Sequence, residues 1–168
     1  GTDICAHRNA LETGLPTIAV MATGPETVYP QRHRDFAERL ADTGGCGLIT
    51  DYPPGTAPLA IHFLRRNRII AGLSDATILI ESKSKGGGMM TSRLAFSYNR
   101  DVYALPGRVD DIRSQGCNLL IKDKVAESID SVDGLIESLG LHAGKVMKAR
   151  STYDLIQEIF GAKAPQGT

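Results

Sequence analysis

Residues 62–93 read "HFLRRNRIIAGLSDATILIESKSKGGGMMTSR", and this stretch decides the fold class. Apolar side chains in 62–74 recur at the spacing of one helix face, which predicts an amphipathic helix. The run "ATILIE" at 76–81 is short, continuous and rich in β-branched residues, as in a strand buried on both faces of a parallel sheet. Three glycines then lead into a second helical pattern at 88–99. Helix, strand, loop and helix in this order predict an α/β fold.

The same alternation continues along the chain in both directions. Further strands are predicted at "TIAVM" (17–21), "CGLIT" (46–50) and "VYAL" (102–105), and a helix is predicted at 32–45, where it ends at a glycine pair. Strands separated by helices predict a mostly parallel sheet flanked by helices, with right-handed crossovers. In such sheets, ligands bind beyond the carboxyl ends of the strands.

The chain of 168 residues suits one α/β domain with a small extension. We assign residues 1–124 to the α/β core and residues 125–168 to a C-terminal helical segment. Helices are predicted within that segment at 131–141 and 151–161, each beginning at a serine that can act as an N-cap. The tail "AKAPQGT" is expected to be disordered.

Composition excludes several classes of protein. Cys5, Cys46 and Cys117 lie far apart without a CxxC spacing, which argues against a zinc site and a disulfide framework and suits a reducing cytoplasm. Asp3 and His7 flank Cys5 at the spacing of a mixed helix face, so no metal or other cofactor is expected. No apolar run approaches the ~20 residues of a membrane span.

The formal net charge is zero, but residues 61–100 form a basic segment. Three of its arginines crowd the start of the helix predicted at 62–74, where they oppose the helix macrodipole unless an anion offsets them. A basic segment of this kind indicates either a solvated face or a phosphate-binding surface. The lysines and arginines of the segment are Arg65, Arg66, Arg68, Lys83, Lys85, Arg93 and Arg100, and its acids are Asp75 and Glu81.

The glycine run that follows the strand at 76–81 is a second candidate anion site. Glycine allows the backbone to approach a ligand closely, and free amides at a helix N-terminus bind phosphate; a flexible connection is the alternative. The helix at 62–74 leads into this strand, so the helix start and the strand end lie toward the same edge of the sheet. We therefore expect the arginines and the glycines to converge there on one or more phosphates.

Four blocks of this sequence, in order and spacing, resemble the DNA-processing protein A (DprA/Smf) family. They are "GTDICAHRNALETGLPTIAVMATGPETVYP", "FLRRNRIIAGLS", "GGGMMTSRLA" and "VYALPGRVDDIRSQGCNLLI", so the resemblance covers residues 1–121. It implies an extended Rossmann-like fold and a non-enzymatic protein that binds and protects single-stranded DNA. It also implies a homodimer that loads the RecA recombinase onto incoming DNA during natural transformation.

The resemblance also implies a DNA-binding set. Seven positions match the family's DNA pocket: Phe63, Arg66, Asn67, Arg68, Gly87, Gly88 and Thr91. Lys83 and Lys85 stand where the family is commonly basic. Arg65 and Arg93 are added on charge alone. Phe63 is a candidate platform for a base, although a buried phenylalanine at a helix start is equally common. Asn67 can instead brace the helix, and Arg68 can instead pair with Glu81 or Asp51.

The chain departs from the family pattern at three places. Leu64 stands where the family usually has proline, and Thr50 and Asp51 stand where it usually has a Ser-Glu pair. The first Rossmann strands, together with a loop whose basic residue contributes to the pocket, precede the matched region in the family. We therefore expect the DNA site of this chain to be incomplete.

Two other functions compete with DNA binding. Nucleotide phosphoribohydrolases of the lysine-decarboxylase-like group share a Rossmann-like fold, but their glycine loop opens a helix that carries a catalytic glutamate. Residues 86–99 of this chain contain no acid, and Glu81 is expected to pair with an arginine. A protein-interaction scaffold would use the basic segment for acidic partner loops and would show little salt-dependent DNA binding.

Overall fold

A computed structural model of the protein describes residues 1–141. The chain divides into two compact units, of which the first is Gly1–Asp130 and the second begins at Ser131. The helix predicted at 151–161 and the tail lie outside the described residues. No helix within residues 1–141 is long and apolar enough to cross a membrane.

The first part of unit 1 contains a two-stranded parallel sheet. Ile18 of one strand is in register with Gly47 of the other, and Val20 is in register with Ile49. The helix between the two strands makes the crossover that parallel pairing requires. The elements are α1 (Thr2–Glu12), β1 (Ile18–Val20), a 3-10 turn (Gln31–His33), α2 (Arg34–Ala41) and β2 (Gly47–Ile49).

The second part of unit 1 contains a three-stranded parallel sheet. Its strands lie in the order β3-β4-β5, with Leu79 in register with Ala104, and Ala104 in register with Ser128. Because β5 pairs with β4, unit 1 extends past residue 124. The elements are α3 (Ala60–Leu73), β3 (Ala76–Leu79), α4 (Gly87–Ser97), β4 (Asp101–Ala104), α5 (Gln115–Lys122) and β5 (Glu127–Ser128).

Unit 2 contributes one described helix, α6 (Val132–Ser138). The hydroxyl oxygen of Ser131 accepts a hydrogen bond of 3.0 Å from the amide of Gly134. This bond satisfies one of the first amides of the helix, which have no acceptor within it. It confirms Ser131 as the N-cap that the sequence predicts.

The hydrophobic core lies where α3, α4 and α5 pack on β3 and β4. Alanines at 71 and 95 are fully buried, and their small side chains allow α3 and α4 to approach each other closely. Burial of this kind contributes roughly 25 cal/mol per Å² of apolar surface. The buried members of the core are Ala71, Leu79, Met89, Ala95, Val102, Ala104, Cys117, Leu120 and Ala126.

These elements confirm the predicted α/β fold, with strands at all four predicted places. The prediction that the strands are buried on both faces is wrong for part of the sheets. Leu79 is 7% exposed whereas Ile78 is 42% exposed, and Ile18 of β1 is 56% exposed. Within the described residues, the core helices cover the face of β3 that carries Leu79, so its other face keeps access to solvent.

Helix α3 begins at Ala60, two residues before the predicted start. The arginine at 65 therefore lies in the second turn, and the arginines at 66 and 68 follow it. The influence of the macrodipole falls off within the first turn, so the electrostatic conflict expected at this helix start is weaker than the sequence suggests. Helix α5 and strand β5 were not predicted.

Candidate nucleic-acid interface

The loops that follow β1 and β2 are joined by hydrogen bonds. The hydroxyl of Thr50 donates to the carbonyl of Thr23 at 2.8 Å, and the amide of Gly55 donates to the carboxylate of Glu26 at 2.6 Å. The amide of Glu26 itself, and then the amide of Gly55, lower the pKa of the Glu26 carboxyl group. The two loops therefore form one connected edge beyond the carboxyl ends of the strands, from which α3 begins.

Arg66 is fixed at this edge by three contacts. Its Nη1 donates to the carbonyl of Val20, the last residue of β1, and its Nε donates to Oδ1 of Asn67 at 3.3 Å. Its guanidinium lies 5.6 Å from the centre of the Phe63 ring, within the range of a cation–π contact. Burial lowers the pKa of Arg66 from its ordinary value. Asn67 is itself buried, and its side-chain oxygen accepts this bond from Arg66, so Asn67 orients the guanidinium. The role that the sequence left open for Asn67, bracing the start of the helix, stays a prediction.

The other two arginines of α3 differ from Arg66 and from each other. Nη2 of Arg68 forms an ion pair with Oδ2 of Asp51, which follows β2. This pairing is one of the two alternatives to a phosphate contact that the sequence left open. Arg65 is exposed, and no hydrogen bond or ion pair of its side chain is described within residues 1–141. Arg65 is therefore the arginine of this group with the most freedom to reach a ligand.

The aromatic residue that faces solvent at this edge is Tyr29 rather than Phe63. The two rings meet edge to face, with centroids 5.6 Å apart and planes at 65°. Tyr29 is 59% exposed, whereas Phe63 is partly buried beneath Tyr29 and Arg66. Tyr29 is not among the site residues predicted from the sequence, although a loop that follows a parallel strand is a common place for a ligand site.

Tyr29, Phe63 and Arg66 also line a cavity of about 340 Å³ together with Arg32 and His33. Nδ1 of His33 is buried there without a described hydrogen-bond partner. Loss of solvation, and then the charge of Arg32, lower the pKa of His33. Arg32 and His33 are not among the predicted site residues, since a histidine between two arginines in a polar turn has no diagnostic spacing.

The glycine block, Gly86–Gly88, forms the start of α4 and is joined to the end of β3 by the loop 80–85. Gly86 is the N-cap in extended conformation, and no hydrogen bond is described for the amides of Gly87 and Gly88. First-turn amides have no acceptor within their own helix and are available to an anion. A Cβ at Gly87 would meet nothing within 4 Å, whereas a Cβ at Gly88 would lie 2.5 Å from Cδ1 of Leu79. Thus Gly88 packs closely on the Leu79 side chain, which would have to move to admit a Cβ, and Gly87 faces open space in the described part of the chain.

The hydroxyl of Thr91 points back along α4 and donates to the carbonyl of Gly87 at 3.5 Å. Lys83 and Lys85 are exposed, and no ion pair is described for either of them within residues 1–141. Glu81, expected to pair with an arginine, is exposed and has no ion pair in that part of the chain. The lysines therefore place positive charge beside the glycine block without an ion pair in residues 1–141.

The loop between β3 and α4 is held by the segment that follows β4. The amide of Ser82 donates to the carbonyl of Arg113 at 2.7 Å, and the amide of Gly116 donates to the carbonyl of Ser82 at 2.8 Å. Arg113 consequently lies beside the lysines at the end of β3. Arg113 is not among the predicted site residues, because the irregular segment 106–114 has no helical or strand pattern that would place it.

The structure groups the predicted residues into two sets. Phe63 and Arg66 share the first cavity, while Lys85, Gly86 and Arg93 line a groove of about 410 Å³ on α4. Helix α3 packs along α4, but no residue of the described chain lines both concavities. Convergence of the arginines and the glycines on one phosphate strand stays a prediction.

Residues near the start of the chain form the mixed helix face that the sequence predicts. Asp3, Cys5 and His7 lie on α1, and Nδ1 of His7 is 2.7 Å from the hydroxyl of Thr17. Loss of solvation lowers the pKa of His7. Within residues 1–141, no three histidine, cysteine or acidic side chains are grouped so that they could hold a metal ion.

Comparison with known proteins identifies relatives over most of the chain. Residues 1–140 match the model of the family described as DNA recombination-mediator protein A. The chain is 38% identical over 144 residues to protein Smf of Escherichia coli, a match that covers 84% of this chain and 38% of that protein. It is 42% identical over 125 residues to the DNA processing protein DprA of Streptococcus pneumoniae, covering 73% of this chain and 43% of that protein. The chain thus spans less than half the length of these relatives.

Solved structures show the same fold. The X-ray structure of DprA from S. pneumoniae matches with a TM-score of 0.74 at 37% identity, covering 82% of this chain and 47% of that one. A structure of DNA processing protein A from Helicobacter pylori matches with a TM-score of 0.73 at 30% identity, covering 83% of this chain and 61% of that one. The H. pylori structure is described for its single-stranded DNA binding mode.

Proposed function

The chain belongs to the DNA recombination-mediator protein A family, and on that premise we propose that it binds single-stranded DNA beyond the carboxyl ends of its parallel strands. The main support for this proposal is the environment of the glycine block at the start of α4. Two amides at the start of α4 lack a described partner, open space lies above Gly87, and two exposed lysines precede them. Backbone amides and lysines together bind phosphates without regard to base sequence.

Each residue of the proposed site has a role that fits its environment. Lys83, Lys85 and Arg65 contact phosphates, because their charges are exposed and have no described ion pair. Gly87 and Gly88 present their amides to the backbone of the strand. Arg66 and Arg68 contact phosphates with the guanidinium donors that Val20 and Asp51 leave free, since each guanidinium has five N–H groups. In the remaining positions, Asn67 orients Arg66 and Thr91 closes the first turn of α4.

An aromatic platform completes the proposed site. Nonspecific binding of single strands combines a basic surface with rings on which bases stack. Tyr29 is the exposed ring at this edge, and Phe63 supports it from beneath. We assign base stacking to this pair, with Phe63 acting through the ring of Tyr29.

The biological role that we propose follows the family. The protein protects single-stranded DNA that enters the cell during natural transformation and loads the RecA recombinase onto it. It does so as a homodimer in the cytoplasm, without catalysing a reaction. Stimulation of RecA ATP hydrolysis on DNA coated with single-strand-binding protein tests the loading role, and sedimentation tests the dimer. A protein that binds DNA but leaves RecA unaffected would contradict the loading role alone.

A nucleotide phosphoribohydrolase is the alternative function, and the structure offers little in its favour. Helix α4, Gly87–Ser97, carries no acid. The carboxylate at the end of β3, Glu81, is exposed rather than held beside a ligand. Turnover of nucleoside monophosphates that disappears in the Glu81→Gln variant would support the enzyme instead of the DNA-binding protein.

A salt titration of fluorescent oligothymidine binding tests the proposed function. For single strands, the logarithm of the binding constant falls with a slope of ~0.7 per phosphate contact. We expect a steep slope for the wild-type protein and, for Arg65→Gln, several-fold weaker binding with a slope lower by about 0.7. Arg39→Gln is the matched control, because Arg39 is also an exposed helical arginine but lies on α2.

The outcomes of this titration separate the candidate functions. Binding without salt dependence would contradict a phosphate-binding surface and favour the interaction scaffold. Equal losses in Arg65→Gln and Arg39→Gln would show that only the overall charge matters, and would remove Arg65 from the site.

A further inference from the structure

Helix α4 carries an open apolar groove next to the glycine block. Its volume is about 410 Å³, and it is lined by Lys85, Gly86, Met89, Met90, Arg93 and Leu94. Met89 is buried and forms part of the core, whereas Met90 is 43% exposed and lies at the surface of the groove. Methionine is flexible and polarisable, so it adapts to flat ligands of varying shape.

The charges around this groove are positive at both ends. Lys85 lies at the end near the glycine block, and Arg93 lies one to two turns further along α4. Arg93 is paired through one Nη2 contact of 3.0 Å with Asp123, which leaves other guanidinium donors available. Among residues 1–141, no acidic side chain lines the groove, and Asp123 lies outside its lining. An apolar floor between two cations fits a ligand with flat apolar rings on a polyanionic backbone.

The groove also continues the proposed DNA path. Gly86 belongs both to the glycine block and to the groove, so a strand bound by the amides of Gly87 and Gly88 has the groove as its neighbour. Arg93 lies six positions after Gly87 on α4, which is a rise of about 9 Å at 1.5 Å per residue. Over this distance, two phosphates of the same DNA strand can contact the two ends of the groove.

We infer that this groove is a second subsite for single-stranded DNA, in which a nucleobase packs on Met90 while flanking phosphates contact Lys85 and Arg93. The inference rests on the proposed function, because it extends the strand bound at the glycine block. Base contact at Met90 is independent of sequence, since every base has an apolar face. The subsite lengthens the DNA segment that one protein molecule covers.

The Met90→Glu variant tests the subsite by placing a negative charge on its floor. Met90 is exposed and lies in the first turns of α4, where an acid is favourable to the helix, so folding should be unaffected. We expect oligothymidine affinity to fall about fivefold to tenfold, the effect of losing one base contact. Leu73→Glu is the matched control, since Leu73 is an exposed apolar residue at the other end of α3, and it should keep wild-type affinity.

Binding of oligonucleotides with and without bases distinguishes a contact between Met90 and a base from an effect of the charge introduced in Met90→Glu. The Met90→Ala variant should bind oligothymidine more weakly than the wild type but should bind an oligonucleotide without bases equally well. If the wild-type protein shows no salt-dependent binding of oligothymidine, the proposed function fails and the subsite fails with it. If the wild type binds but both Met90 variants match it, or if Met90→Ala loses affinity equally for the two oligonucleotides, the subsite alone is refuted.

Discussion

Three arginines within four positions of α3 have three different environments. Arg66 is partly buried against β1 and Phe63, Arg68 is paired with Asp51, and Arg65 is exposed. A residue's availability to a ligand therefore depends on partners that lie 17 to 46 positions away in the chain. The arginine cluster as a whole predicts phosphate binding, but the role of each member follows from its contacts.

Alanine substitutions at Gly87 and Gly88 are expected to have different effects on stability and on DNA binding. We expect Gly87→Ala to leave the free energy of unfolding unchanged or to raise it by about 0.5 kcal/mol, because its Cβ meets nothing within 4 Å and alanine favours a helix. Oligothymidine affinity should nevertheless fall, because the methyl group would keep a phosphate away from the amides. Gly88→Ala should lower the free energy of unfolding by about 1–3 kcal/mol, because its Cβ would collide with Leu79 in the core.

Urea unfolding and oligothymidine binding, measured on both variants, check this prediction. A Gly87→Ala protein with wild-type affinity would show that DNA does not approach the glycine block closely. A Gly88→Ala protein as stable as the wild type would show that the core around Leu79 has room for a methyl group.

The aromatic pair shows what sequence patterns omit at the residue scale. Phe63 was predicted as a platform because it precedes the arginines, but its ring is partly covered. The exposed ring, Tyr29, is 34 positions earlier in the chain and reaches this edge because it follows β1. Periodicity describes which face of one element is apolar, and it contains no information about which loops of distant elements meet.

At the scale of elements, the strand–glycine–helix unit was predictable and α5 was not. Apolar runs of β-branched residues bounded by polar turns are reliable local signals, and they located β1 to β4. Helix α5, "QGCNLLIK", is only eight residues long and has a glycine at its second position, which weakens the helical pattern. The structure supplies the reason for Gly116: a Cβ there would lie 2.6 Å from the carbonyl oxygen of Ser82 and 2.9 Å from the sulfur of Met89.

The start of α3 was also misplaced for a local reason. Its N-cap, Leu59, makes no side-chain hydrogen bond to the helix. Without Ser, Thr, Asp or Asn at this position, the sequence contains no capping signal. The order of strands and helices along the chain is enough to predict a site beyond the carboxyl ends of β1 and β2. It does not predict the contacts that hold α3 at this edge.

The loops after β1 and β2 provide a prediction about pH. Hydrogen bonds from backbone amides lower the pKa of Glu26 below its ordinary value of 4.5. A depressed folded-state pKa contributes stability above the unfolded value, and this contribution is lost as the pH falls through the folded value. We expect the wild type to be more stable than Glu26→Gln above pH 4.5 and to lose that advantage below it.

Urea unfolding of the two proteins across this pH range measures the difference. The glutamine keeps a side-chain acceptor for the amide of Gly55 but cannot ionise, so it isolates the contribution of the charge. A stability difference that stays constant as the pH falls would contradict the role of the Glu26 carboxylate in joining the loops.

At the scale of the whole molecule, charge is balanced. The chain has 19 lysines and arginines and 19 acids, so its net charge is zero. We therefore expect any attraction of DNA to depend on the local arrangement of cations and amides rather than on overall charge. For this reason, the salt dependence of binding should respond to single substitutions at the site and not to substitutions on α2.

The boundary of unit 1 is also a property of the whole molecule. The sequence suggested a core that ends at residue 124, before two buried residues, Ala126 and Ile129. The amide of Ile129 donates to the carbonyl of Ala104 at 3.0 Å, and β5 pairs with β4 just before it. The residues proposed to bind DNA all lie between positions 29 and 93, well inside either boundary.

Two shortened chains distinguish these boundaries. We expect a chain ending at Asp130 to unfold cooperatively and to bind oligothymidine like the whole protein, because it retains the core and the proposed site. A chain ending at Lys124 should be less stable by about 3 kcal/mol, because it loses buried apolar surface and the hydrogen bonds of β5, and the edge of β4 is exposed. Urea unfolding monitored by circular dichroism measures both. Equal stability of the two chains would place the end of the folded core at residue 124, and loss of folding in both would show that residues after Asp130 are required.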